Sequence, residues 1–312
     1  RLNRGCLDLK LLVMTKVKII KNISELHAIL GYEKPKHPLI TFVDLTMVKT
    51  EPQAEEVFFA MDFYAIVCKS FEGTLKYGRS TYDFQEGSLI FTLPGQIMSS
   101  SPNMKITEGW ALYFHPDLLY GTDLAKRIKE YSFFHYEANE ALHISDEENE
   151  ILKSCVQNIY REYHQNTDHH TQELIVDSIQ LMLNYSKRFY QRQFITRKKA
   201  NSGIIERFES FLREYISETN LIESGLPTVT YFADKLNLSS TYLTDVLKNQ
   251  TGKNSQEHIH LALVDKAKTM LLGSAKSVSE VAYELGFEYP SHFSKLFKSK
   301  TGTSPSQYRM LN

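Results

Sequence analysis

Residues 277–310 read SVSEVAYELGFEYPSHFSKLFKSKTGTSPSQYRM, and residues 228–252 read TVTYFADKLNLSSTYLTDVLKNQTG. The two stretches are versions of one pattern. Val278, Val281, Ala282 and Leu285 lie at i, i+3, i+4 and i+7, a spacing that puts all four on one face of a short helix. Val229, Phe232, Ala233 and Leu236 repeat it 49 positions earlier. A turn follows each stripe: Gly286-Phe287-Glu288 in the later copy, Asn237-Leu238-Ser239 in the earlier. Phe293, Leu296 and Phe297 then match Leu243, Val246 and Leu247 at an offset of 50, so the later turn holds one more residue. Both second stripes run into Thr-Gly, at Thr301-Gly302 and Thr251-Gly252, where glycine suits the left-handed residue after a helix end. Ser277 with Glu280 forms a capping box, and Ser304-Pro305 offers an N-cap followed by proline at the first helical position.

Two short helices joined by a tight turn make a helix-turn-helix. One such pattern fits a plain helical bundle equally well; two copies with matched stripes, turns and terminators favour the tandem motif. Between them, Gln256 to Leu272 reads as one helix with Ile259, Leu263, Ala267 and Met270 apolar. At about 1.5 Å per residue it spans roughly 25 Å. Such a strut suits recognition helices that enter successive major-groove segments, about 34 Å apart along a duplex. Bending of the DNA would add a sequence-dependent term. The expected partner is double-stranded DNA.

The stripes also fix which side chains face outward. Ser240, Thr241, Thr244 and Lys248 point away from the earlier stripe; Ser291, Ser294, Lys295 and Lys298 point away from the later one. Early positions of a recognition helix meet base edges. Ser240, Thr241, Thr244, Tyr289, Ser291, Ser294 and Lys295 are therefore the expected base or near-base contacts. Lys248, Lys298 and Lys300 are expected at phosphates, which position without specifying. Asp245 either accepts from cytosine N4 or caps or pairs with Lys248, and the structural role carries more weight. His292 flanks Phe293 and suits packing as well as DNA contact. From Lys248 onward nine lysines and arginines stand against five acidic residues, so charge supports the reading less than spacing does.

Residues 277–310 resemble the signature of AraC-type transcription regulators. The Gly286-Phe287 turn, Phe297-Lys298, Thr301-Gly302, Ser304-Pro305 and Tyr308-Arg309 occur in order. The first copy and the intervening helix resemble the same family, and the likeness runs from Pro227 to Met310. The resemblance implies a dimeric cytoplasmic regulator of transcription, with RNA polymerase as a partner and an N-terminal domain that senses a signal.

Upstream, Arg197-Lys198-Lys199 and Asn201-Ser202-Gly203 make a polar, basic stretch that reads as an inter-domain linker. Ser145 and Glu148 frame a helix start, followed by Ile151, Leu152, Cys155, Val156, Ile159 and Tyr163 at helical spacing. A polar break at residues 165–170 leads to a second helix with Leu174, Ile175, Ile179, Met182 and Leu183, its apolar face widened by Val176 and Leu181. Two helices this apolar need cover, from the preceding domain and from a second subunit, so a homodimer is expected. Leu39–Val43, Val57–Val67, Leu89–Leu93 and Trp110–Phe114 have strand texture. Turn signals at Gly73, Gly78, Gly87 and Pro94-Gly95 break them, as in a small antiparallel barrel or sandwich. This part resembles the cupin-like sensor barrel of the same family more faintly.

The expectation is an α+β chain: a small antiparallel, cupin-like β-barrel with two dimerisation helices, then an all-α domain of two helix-turn-helix units joined by a linker helix. The expected boundaries are 1–13 (an extension, native or added, with Met14 as the natural start), 14–194 (sensor and dimerisation), 195–203 (basic linker) and 204–312 (tandem helix-turn-helix).

Composition agrees with this plan. A chain of 312 residues is comfortable for two domains, and 42% hydrophobic with 23% charged residues is ordinary for a globular protein. A net charge of −1 means that any case for DNA rests on local features. Cys6, Cys68 and Cys155 are few, odd in number and far apart, which argues against a disulfide framework or zinc site and fits a reducing cytoplasm. No apolar run reaches the length of a membrane span, and residues 1–13 lack the cleavage site of a signal peptide.

Many cupins are metal enzymes, but Leu39 to Phe114 contains no histidine, which removes the usual imidazole ligands. His164, His169 and His170 sit in a polar segment without a carboxylate framework and read as a solvated loop. No phosphate-binding loop or nucleophile motif occurs. The chain is expected to be no enzyme, with no metal, cofactor or membrane partner. A sensor acting by protein contact alone, its DNA binding lost, is the other rival. Tyr64, Tyr77, Phe91, Trp110 and Tyr113 are candidates to line an effector pocket, apolar with polar tips, of the kind that takes carbohydrates or other small molecules. An ordinary aromatic core is the competing reading for each of them.

Overall fold

The computed structural model describes residues 17–48, 57–72, 74–77, 80–83, 88–100, 105–137, 140–166, 168, 170–218 and 221–311. The expected extension 1–13, Met14, the turn residues Gly73, Gly78 and Gly87, and His169 lie outside them. The chain divides into two compact units, 1–193 and 194–312.

The N-terminal unit is built on a five-stranded antiparallel sheet. Its strands are β2 (Ile40–Asp44), β4 (Tyr64–Glu72), β7 (Ser88–Thr92), β9 (Lys105–Phe114) and β10 (Leu142–His143), in the order β10-β7-β4-β9-β2. A smaller sheet has the order β1-β3-β8, from β1 (Lys18–Ile20), β3 (Val57–Met61) and β8 (Met98–Ser100), and β5 (Thr74–Tyr77) pairs with β6 (Ser80–Asp83). β1 runs parallel to β3, which differs from a wholly antiparallel barrel. The connection between them passes through helix α1 (Ile23–Leu30) and β2, the kind of crossover that a parallel pair requires. Among the described residues no hydrogen-bonded ladder joins the three sheets into a closed barrel.

The two faces of the large sheet bury different sets. On one, Val43, Ala65, Ala111 and Tyr113 pack with Ile20, Ile23, Leu26, Met61 and Phe63. On the other lie Tyr64, Ile66, Phe91 and Phe114; Tyr64 stacks on Phe114, and Phe91 meets Phe133 and Phe134 from the short helical turns after β9. Helix α2 (Asp146–His164) starts at the expected capping box of Ser145 and Glu148. Helix α3 (Thr171–Thr196) buries Ile175, Val176, Ile179, Met182 and Leu183 and leaves Leu174 and Leu181 about half exposed. Arg192 clamps α3 to the start of α2 through two bonds to Glu148, at 2.9 and 2.5 Å, and one to the His143 carbonyl.

The expected linker at 195–203 is instead helical. α3 continues to Thr196, and α4 (Lys198–Glu218) starts two residues later. Asn201 is buried, and its side-chain amide donates to the Phe194 carbonyl at 2.9 Å, so a residue that reads as a helix breaker serves as an internal bond.

The C-terminal unit is all helical. After α4 come α5 (Leu221–Ser224), α6 (Val229–Leu236), α7 (Ser240–Thr251), α8 (Ser255–Gly273), α9 (Val278–Glu284), α10 (Pro290–Thr301) and α11 (Pro305–Leu311). Both repeat stripes converge on one core: Phe232, Ala233, Leu236, Leu243 and Leu247 from the first copy, and Val281, Ala282, Leu285, Phe293 and Phe297 from the second. Ile259, Leu263, Val264, Ala267 and Leu271 of α8 run through that core, with Phe208 and Leu212 of α4. At about 25 cal/mol per Å² of apolar surface, burying such side chains is the main term holding the repeats together.

Candidate nucleic-acid interface

Each copy forms a helix-turn-helix: α6 and α7 in the first, α9 and α10 in the second. The turns solve one problem differently. Asn237 takes the left-handed conformation, φ 55°, after α6. Gly286 takes it, φ 83°, after α9, and a Cβ there would lie 2.7 Å from the Leu221 carbonyl oxygen of α5. Asparagine tolerates that backbone region; the close approach at 286 admits only glycine. Gly252 and Gly302 end α7 and α10 in the same conformation, at φ 76° and 82°. Ser277 and Glu280 form the expected capping box, and Ser304 accepts from the Gln307 N–H.

The predicted contact residues differ in freedom. In α10, Ser291, Lys295, Lys298 and Lys300 are exposed, Tyr289 is 53% exposed and Ser294 half-buried. Among the described residues no carboxylate pairs with Lys295, Lys298 or Lys248, whereas Lys300 lies 4.0 Å from Glu257. His292 is exposed with its ring edge toward Tyr289. In α7, Lys248 is exposed, and Ser240, Thr241 and Asp245 are half-buried. The Thr244 hydroxyl is taken up internally, 2.8 Å from the Ser240 carbonyl and 3.1 Å from Ser255 Oγ.

Other signature residues prove structural. Arg309 donates to the carbonyls of Leu271 and Lys276, and the Tyr308 ring packs edge-on against Phe297. The strut α8 has a capping box of Asn254 and Glu257, and Lys266 reaches the Ile216 carbonyl at the end of α4.

The five N-terminal aromatics do not share one site. Alternation along β9 puts Trp110 and Tyr113 on opposite faces; Tyr64 and Phe91 lie on the Trp110 face, and Tyr113 packs against Phe63 on the other. Tyr77 ends β5, and its side chain lies outside the described part. Phe91 and Tyr113 are core residues, while Trp110 is buried with its Nε1–H unsatisfied among the described residues. Burial pushes the Cys68 thiol up to about 12, so it stays protonated. No group of three metal-ligating side chains occurs among the described residues. Nor is any helix there long and apolar enough to cross a membrane.

Sequence reading missed Phe194, Asn201 and Gln250. Phe194 is 3% exposed and packs against Tyr242 of α7, and Gln250 donates to its carbonyl at 2.9 Å. The signal was the apolar series Phe189, Tyr190 and Phe194, which carries the α3 stripe up to the basic run.

Geometry alone defines the class: two helix-turn-helix units on one core, joined by a helical strut. Residues 232–310 match a family model described as a helix-turn-helix domain. The transcriptional activator RhaS of Citrobacter koseri is 32% identical over 109 residues, 35% of this chain and 37% of that protein. RhaS of Escherichia coli O9:H4 is 38% identical over 77 residues, 25% of this chain and 28% of its own. An uncharacterised HTH-type transcriptional regulator of Pseudoalteromonas carrageenovora is 32% identical over 95 residues, 30% of this chain and 54% of that protein. The chain thus spans between 28% and 54% of the length of these relatives. Among solved structures, the C-terminal domain of the response regulator AraT from Geobacillus stearothermophilus is 27% identical, over 35% of this chain and 85% of that one, with a TM-score of 0.31. The C-terminal unit is a helix-turn-helix domain of the AraC type.

Proposed function

We propose that this protein is a sequence-specific DNA-binding transcription regulator. Its two recognition helices, α7 and α10, read successive major-groove segments of one duplex. The observation that carries the reading is the duplicated helix-turn-helix with Ser291, Lys295 and Lys298 of α10 exposed and these lysines unpaired with any carboxylate among the described residues. Lys248, Lys298 and Lys300 neutralise phosphates; Ser240, Thr241, Tyr289, Ser291, Ser294 and Lys295 lie at or near base edges. Thr244 contributes at most its methyl group, since its hydroxyl is bonded within the fold.

The N-terminal unit is read as a cupin-like sensor for a small-molecule effector, and the protein as a homodimer without catalytic activity. The half-exposed Leu174 and Leu181, seven positions apart on α3, support the pairing of two copies. The unsatisfied Trp110 Nε1–H supports a polar ligand group beside that ring. Trp110 is the chain's only tryptophan, so its fluorescence reports on that position directly.

Selection of bound duplexes from a random library, with the intact protein at moderate salt, tests the central claim. Enrichment of two readable segments about one helical turn apart is expected. Absence of any enriched sequence would reduce the helix-turn-helix pair to a scaffold.

A further inference from the structure

Among the described residues, the first recognition helix is backed along one flank by a buried aromatic residue, and the second has no such backing at the equivalent positions. Phe194, the first residue of the C-terminal unit, is 3% exposed. Its ring lies 5.5 Å from that of Tyr242, in the first turn of α7. Its carbonyl accepts at 2.9 Å from Gln250, in the last turn of α7, and at 2.9 Å from the buried Asn201 of α4. Tyr242, Val246 and Gln250 follow one another at i, i+4 and i+8, so one residue engages a single flank of α7 at both ends. That flank is turned away from Ser240, Thr241 and Lys248. The positions equivalent to Tyr242 and Gln250 in α10 are His292 and Lys300, and both are exposed.

We infer that Phe194 is a positioning residue for the first helix-turn-helix: it fixes the pose of α7 and thereby half of the DNA readout. This rests on the proposed DNA-binding function. Recognition side chains act only when held within about 0.5 Å and 10–20° of their productive geometry. A twelve-residue helix is marginal without such packing. Phe194 belongs to α3, whose earlier turns are part of the N-terminal unit. Gln193, its neighbour, is fixed inside that unit: its side chain accepts from the His143 N–H at 2.8 Å and donates to the Ala141 carbonyl at 3.2 Å.

Amide hydrogen exchange on the full-length protein tests the support without DNA. Phe194→Ala should speed exchange in α7 about ten-fold or more and leave α10 unchanged, with Phe194→Leu intermediate. Unchanged exchange in α7, or equal acceleration throughout the C-terminal unit, overturns the inference. Gln250→Ala, which removes one hydrogen bond and no core side chain, should loosen the last turn of α7 in a protein that still folds. Hydroxyl-radical footprinting on a selected duplex gives the second readout. Phe194→Ala should lose protection over the segment read by α7 and keep it over the other; equal loss over both contradicts the inference. A wild-type protein that protects no DNA would refute the DNA-binding function alone, and the exchange result would still decide whether Phe194 supports α7.

Discussion

The two helix-turn-helix units share a stripe pattern, a core and a terminator, yet they present their recognition helices differently. α7 buries Tyr242, Leu243, Val246 and Leu247, ties up the Thr244 hydroxyl and is backed by Phe194. α10 buries only Phe293 and Phe297 and turns Ser291, His292, Lys295 and Lys298 to solvent. A repeated pattern thus preserves the hydrophobic face while the outward face diverges. The first copy holds its recognition helix more firmly in the fold, and the second turns more charge to solvent.

The turns should separate the units most sharply. Gly286→Ala combines a left-handed backbone with a Cβ 2.7 Å from a backbone oxygen, so it should cost about 2–4 kcal/mol in denaturant titration. Asn237→Ala, at the equivalent turn, adds no such collision and should cost about 1 kcal/mol. Equal costs would show that α5 yields easily to the turn, and that the two turns are mechanically alike.

Charge gives the next contrast. Replacing Lys298 and Lys300 together by alanine should lower the slope of log affinity against log salt by about 2, and Lys248→Ala by about 1. Base preference should survive Lys298→Ala and Lys248→Ala, because phosphate contacts carry no sequence information. If Lys248→Ala has the larger effect, the assignment of charge to the second unit is reversed.

Thr244 sharpens the comparison inside the first unit. Thr244→Val keeps the shape and breaks the link to Ser255, so it should cost about 1 kcal/mol of stability and leave the selected sequence unchanged. Thr241→Val should do the opposite. A shifted base preference in Thr244→Val would show that its hydroxyl turns outward when DNA binds.

These contrasts also mark what the sequence could disclose. Helical spacing of apolar residues decides burial, so the stripes, turns and strut of the C-terminal unit were legible, as were the capping boxes at Ser145 and Ser277. Outward faces were legible only as directions. Helical spacing places Thr244 beside Ser240 and Lys248, but nothing local shows that Ser255 of the next helix takes its hydroxyl. Residues 195–203 read as a linker because the run is polar and basic and its glycine permissive; bonds such as that of Asn201 to the Phe194 carbonyl, seven residues back, hold it in helix instead. In the N-terminal unit, aromatic content suggested a pocket, but the register of β9 sends Trp110 and Tyr113 to opposite faces. Register depends on pairing with β4 and β2, which lie far away in sequence.

The smallest expected difference lies beside the first unit. His258 of α8 is 2.9 Å from the Thr251 hydroxyl at the end of α7, with its ring edge-on to Phe208. Thr251 donates that hydroxyl to the Leu247 carbonyl, so neutral His258 donates from Nε2 and would take up a proton at Nδ1. Burial lowers its pKa first; Glu209 and Glu257 oppose that, and Lys253 reinforces it. His260 is likewise lowered by burial and by Lys300, against Glu257. With folded pKa values below the ordinary histidine value of about 6.5, the unfolded chain binds protons more readily in the window just beneath it. Stability should therefore be level above about pH 6.5 as far as these groups decide it, and should decline as pH falls from there toward the folded values. Denaturant titrations of wild type and His258→Gln across that window isolate the first residue's share, and the variant should show a shallower decline. A wild-type stability that rises on acidification relative to His258→Gln would mean that the carboxylates of Glu209 and Glu257 outweigh burial at this ring. The end of α7 would then be held by charge rather than by packing.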